Sequence, residues 1–226
     1  MDTIIKNKNQ IPELSTDHIF ITNDEVRLRE AYELVDKSME KLNLAKKDGL
    51  HMKLLFEETI GMVRAITGDF TAIIWAEKYQ GECWLRLVGK TEMDIDKKTD
   101  LMSVSTTGSN ALAVGFMGKV RDFVETGLLT YDGVSKLQQK YNGYGINMTI
   151  GATYMDAGIA AQPDAFAGLM WSMDDYKNSL KEGDGEPETT AYWDELEKSI
   201  VASIAKNVIV GIDKNQIEMA IIMDTQ

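Results

Sequence analysis

The stretch LHMKLLFEETIGMVRAI (residues 50–66), followed by TGD (67–69), FTAIIWAE (70–77), KYQG (78–81) and ECWLRLV (82–88), carries the architecture. Apolar residues recur at helical spacing through 50–66, which predicts an amphipathic helix. Thr67-Gly68-Asp69 ends it, with glycine in the C-terminal position. The period then changes. Residues 70–77 and 82–88 are rich in β-branched and aromatic side chains, and Gln80-Gly81 between them predicts a hairpin turn.

Working outward toward the N-terminus, Thr22 with Glu25 matches a capping box and predicts a helix from about Asn23. Leu28, Ala31, Val35 and Leu42 keep its apolar face, and Lys46-Lys47-Asp48-Gly49 breaks the pattern. Thr3-Ile4-Ile5 and His18-Ile19-Phe20-Ile21 read as short strands separated by Asn9 and Pro12. Beyond Asp94 the reading changes. A short helix is expected over 97–102, then a Ser/Thr/Gly loop over 103–110. A helix over 111–125 follows, with Leu112, Phe116, Val120 and Phe123 on one side. Residues 174–188 are acidic and contain Gly183 and Gly185, so an exposed, mobile loop is expected there. The end regularises: a helix over 192–205, strands over 207–212 and 216–223, and the turn Asp213-Lys214-Asn215.

Composition narrows the function classes. The chain has 226 residues, 44% of them hydrophobic, which is enough for one domain with a real core. Lys and Arg number 24 against 36 Asp and Glu, giving a net charge of −12. That balance argues against a nucleic-acid surface and against anionic membranes, and suits a basic protein partner. A homo-oligomer is compatible with it. The single cysteine, Cys83, excludes an intramolecular disulfide and reads as a buried strand thiol. One cysteine and two histidines cannot close a zinc site without carboxylates, so no metal site is assigned. The N-terminus lacks the apolar run of a signal peptide and no segment has the length of a membrane span; a cytoplasmic location is expected.

The order helix, helix, hairpin, insertion, helix, hairpin resembles the ATP-binding domain shared by histidine kinases, gyrase-type ATPases and anti-sigma-factor serine kinases. The anti-sigma kinases are the most similar. The resemblance covers roughly 24–94 and 190–226. In that family the second helix carries Glu-x-x-x-Asn; the carboxylate orients the attacking group and the Asn holds magnesium. Glu57-Glu58 matches the double Glu often found there, but Met62 stands four residues after Glu58, and Gly61 four after Glu57. The family's adenine-binding Asp-x-Gly-x-Gly corresponds to Val88-Gly89-Lys90-Thr91-Glu92-Met93-Asp94. There Glu92 or Asp94 stands in for the Asp and the glycines are missing. Acidic Gly183-Asp184-Gly185-Glu186 precedes the last helix where the family has a phosphate turn. The resemblance therefore implies the fold with a degenerate ATP site and, at most, weak binding of ATP and magnesium.

Several residues are candidates beside their structural readings. With about 100° per residue, Glu58 falls between Leu54 and Met62 on what reads as the apolar stripe, whereas Glu57 falls beside Lys53 and Arg64 on the polar side. A carboxylate on a core-facing stripe is either a catalytic base in a cleft or a buried group satisfied by amides or an arginine. Glu58 is thus expected to be buried. Thr106, Gly108 and Asn110 precede a helix and can hold an anion or simply cap it. Gly115-Phe116-Met117-Gly118-Lys119-Val120 fails as a P-loop because Ala113 and Val120 replace the required Gly and Ser/Thr. Met148, Met155, Met170 and Met173, with Tyr154 and Trp171, suit either an adaptable partner surface or core filling.

The sequence thus predicts an α/β (α+β) two-layer sandwich, with helices on one face of a mixed, mostly antiparallel sheet. It forms one domain over 1–226, with a core of 1–94 and 190–226 and an insertion over 95–189. The functional expectation is a regulatory or protein-binding module. The alternative is an active serine protein kinase or ATPase with Glu58 as general base.

Overall fold

In the computed structural model, residues 5, 11–22, 24–66, 69–92, 115–121, 123–124, 169–182, 187–213 and 216–226 are described. The chain folds as an α+β sandwich on a seven-stranded sheet. Its strands are β1 (Leu14–Ser15), β2 (Ile19–Thr22), β3 (Asp69–Tyr79), β4 (Glu82–Glu92), β5 (Leu169–Ser172), β6 (Asn207–Asp213) and β7 (Gln216–Asp224). The order is β1-β3-β4-β7-β6-β5, with β2 also paired to β3, and every pairing among the described strands is antiparallel. The helices are α1 (Glu25–Glu40), α2 (Lys46–Arg64), α3 (residues 116–121 and 123–124), α4 (Met173–Glu182), α5 (Pro187–Lys198) and α6 (Ile200–Ile204).

Strand alternation divides the sheet into two faces. Phe70, Ala72, Ile74 and Ala76 of β3 share one face with Leu85 and Leu87 of β4, Met219 and Ile221 of β7, and Val208 and Val210 of β6. All belong to one buried cluster with Leu28 and Val35 of α1, Phe56 and Val63 of α2, Phe116 and Val120 of α3, Met173 of α4 and Val201 of α6. The helices therefore cover this face. Of the stretch 95–189, the described parts supply β5 and core side chains of α3 and α4. On the opposite face Tyr79, Trp84, Ala220 and Ile222 form a second, smaller cluster with Ile5. The Gln80-Gly81 hairpin forms as expected, with Gly81 in the left-handed region at φ 79°.

Element ends differ from the sequence reading in four places, each for a local reason. Asp24, not Thr22, caps α1: its carboxylate accepts from the Val26 and Arg27 amides at 3.1 Å, and Thr22 Oγ1 accepts from the Asp24 amide. Helix α2 begins at Lys46, four residues before the expected start. Asp48 in its first turn suits the positive helix end and accepts from the Gln226 amide at 3.1 Å. The expected loop over 174–188 is helical through Glu182. Asp174 and Asp175 lie in its first turn, Ser172 Oγ accepts from the Asp175 amide, and Met173 and Leu180 anchor it in the core. The acidity read as loop composition is a helix start. The expected helix over 192–205 starts at Pro187 and is interrupted at Ser199, whose extended backbone and hydroxyl cap α6 through the Ala202 amide. Among the described residues no helix is long and apolar enough to cross a membrane.

Candidate functional site

Helix α2 carries the two described candidates of the sequence reading. Its buried residues are Asp48, Met52, Leu55, Phe56, Thr59, Ile60, Met62 and Val63. This arc centres between Leu55 and Thr59, not on Leu54 as the sequence reading placed it; Leu54 is only half-buried. Glu58 lies at the edge of the arc and is half-buried, so the expectation of full burial does not hold. The neighbouring Thr59 takes the central place at 0% exposure, and its hydroxyl donates to the Leu55 carbonyl at 2.8 Å. A threonine can satisfy its polar atom inside its own helix, whereas a carboxylate on the same arc cannot. Met62, 5% exposed, is buried in the main core.

Beside this stripe α1 and α2 enclose a cleft of about 190 Å³ lined by Glu25, Leu28, Arg29, Tyr32, Ile60 and Arg64. Buried Leu28 and Ile60 give it apolar walls. Arg64 pairs with Glu25 across the helix pair. Partial burial raises the Tyr32 phenol above its usual range; Glu57 adds to the effect, Arg64 opposes it and Glu58 adds again. The two glutamates thus act electrostatically on the rim of this cleft.

A second polar constellation, absent from the sequence reading, lies on the opposite face of the sheet. Arg86 of β4 donates through Nε to Glu77 Oε2 at 2.6 Å and through Nη1 to Glu218 Oε1 at 3.0 Å. Nη1 also donates to the Ile5 carbonyl at 2.9 Å, and the guanidinium lies 5.1 Å from the Trp84 ring centre. Glu77 accepts further from Trp75 Nε1 at 2.9 Å and the Tyr79 hydroxyl at 2.7 Å. Burial pushes the Glu77 carboxyl up, but the Trp75 and Tyr79 hydrogen bonds and the Arg86 charge outweigh it and hold the group below the usual range. Burial and the bond to Glu77 push the Tyr79 phenol up to about 12. The sequence signal was present: Arg86 and Glu218 are opposite charges inside strands that are otherwise apolar, at positions alternation puts on one face.

The remaining candidates stand apart. Glu92 ends β4 opposite Asp69 on β3, but its side chain lies outside the described residues, as do Asp94, Thr106, Gly108 and Asn110. Of the methionines, Met170 is exposed on β5 and Met173 is fully buried, so these two do not form one surface; Tyr154, Met148 and Met155 lie outside the described residues. Half-buried Trp171 packs among Phe116, Phe123 and Tyr176.

Magnesium takes oxygen ligands in near-octahedral geometry. At the two α2 positions where the resemblance requires its ligand, Met62 offers a thioether buried in the core and Gly61 offers no side chain. These residues do not fit the ion. Among the described residues no group of three or more His, Cys, Asp or Glu side chains is placed to hold a metal. No family model, curated protein or solved structure matches this chain.

Proposed function

We propose that this chain is a regulatory, protein-binding module built on a histidine-kinase-like ATPase framework whose nucleotide site has degenerated. One observation carries the reading: the α2 residue expected to hold magnesium is Met62, and its side chain is spent on the core. Phosphoryl transfer depends on a metal to neutralise charge developing on the transferred group, and a core thioether cannot hold that metal. The net charge of −12 points to a basic partner. The apolar-walled cleft between α1 and α2, with the exposed side chains of Val26, Tyr32 and Leu34 on α1, is the surface we assign to that partner.

An active kinase or ATPase is the second reading. It draws support from the half-buried position of Glu58, which leaves the carboxylate reachable as a base. A thermal-shift titration with ATP and magnesium, coupled to a phosphate-release assay, separates the two. The regulatory reading expects no shift and no turnover. A nucleotide at 100 times its dissociation constant would stabilise the fold by about 2.7 kcal/mol. That stabilisation, with turnover that disappears in Glu58→Gln, would replace the first reading by the second.

A further inference from the structure

On α3, Arg121 donates through Nη1 to the carbonyl of Ala65, the residue that closes α2, at 3.3 Å. Its Nε and Nη2 are sealed from solvent and meet no acceptor. These two N–H groups share one edge of the guanidinium plane. They point the same way and match two oxygens of a carboxylate or phosphate through parallel bonds. Dehydrating charged donors without an acceptor is costly, and buried polar groups in folded proteins are satisfied as a rule. Nor does another side chain of α3 explain the vacancy of this edge. Lys119, two residues earlier, has its charge met by Glu195 and by the Tyr176 hydroxyl at 3.1 Å. Arg121 forms no ion pair among the described residues.

We propose that Arg121 is the recognition residue of an oxyanion site between α3 and the C-terminal end of α2. The ligand group is one that presents two coplanar oxygens: a phosphate or a carboxylate. The bond to Ala65 fixes the guanidinium plane, so the Nε/Nη2 edge is aimed before the anion arrives. A lysine at this position would offer charge without the fork. The site does not depend on the regulatory reading above, because Arg121 lies on neither wall of the α1/α2 cleft.

The test is a titration of the whole chain, labelled with 15N at arginine, with inorganic phosphate and in parallel with acetate. Sodium chloride holds the ionic strength constant. Loss of one Nε–H signal in Arg121→Lys assigns the resonance, and Arg121→Gln provides a second assignment should the first variant fold poorly. The signal is expected to move and saturate with a dissociation constant on the order of 1 mM. Saturation by phosphate alone supports the site and makes the natural ligand a phosphoryl compound. Saturation by acetate alone supports it with a carboxylate ligand, and saturation by both supports the fork itself. A signal that moves no further with phosphate and acetate than with chloride would overturn the proposal.

Discussion

Gly89 shows how a single position on β4 is fixed by its neighbour across the strand pair. A Cβ added there would lie 2.4 Å from Phe70 Cζ and 3.1 Å from the Ala72 Cβ. Phe70 is buried on the helix-covered face and its ring has nowhere to go. Gly89→Ala should therefore destabilise by about 1–3 kcal/mol, as overpacking does. Phe70→Leu should recover part of that loss in the double variant, and a double-mutant cycle by urea denaturation measures the coupling. Cys83 makes a second residue-scale case. Burial pushes its thiol up to about 12, so the thiolate that reacts is scarce near neutral pH. A chromogenic thiol reagent should label the native chain no faster than global unfolding allows; rapid labelling at neutral pH would contradict the burial.

At the scale of elements, the ion pairs of Arg86 link three strands. Arg86 bridges Glu77 on β3 and Glu218 on β7 at a place where none of the three side chains sees much water. A buried pair is not strong evidence of stability, but removing one partner strands a charge. Arg86→Leu should cost about 3–5 kcal/mol, whereas replacing all three charged residues by apolar ones of similar volume should cost less. Thermal melts of the single and triple variants decide between these outcomes. The same network sets the response to pH. Glu77 is held below the usual carboxylate range, as is Glu82 beside Lys206. A lowered folded pKa means stability that is fully present above the unfolded value of about 4.3 and lost as pH falls through the folded one. Acid unfolding should accordingly steepen below about pH 5, and Glu77→Gln should flatten that limb while lowering stability at pH 7. Tyr79 acts in the opposite sense. Its phenol is raised to about 12, so its contribution holds below about 10 and fades as pH climbs toward 12.

For the whole molecule, the sheet has one face under the helices and another bearing the Arg86 network, and the two faces should unfold together. Trp75 and Trp84 report the second face, and Trp171 and Trp193 pack against the helix-side core. Variants that keep only one pair should give coincident urea transitions by fluorescence; separated midpoints would show that the faces are independent units. The sequence alone determined the local elements whose signals are local: the helix of 50–66, the Gln80-Gly81 hairpin and the C-terminal strand pair, where periodicity and turn chemistry agree. It also determined that helices would cover one face of a largely antiparallel sheet. Only the tertiary structure decided which arc of α2 faces the core, because the wheel ranks Leu54 and Leu55 equally and packing buries just one of them fully. Nor could spacing reveal that Glu77, Arg86 and Glu218 meet: they are charges from separate strands, and their pairing exists only once register sets them on one face. The acidic start of α4 was misread for a similar reason. Asp174 and Asp175 look like solvated loop until Met173 and Leu180 have a core to enter, and burial of those two side chains is what makes the segment a helix.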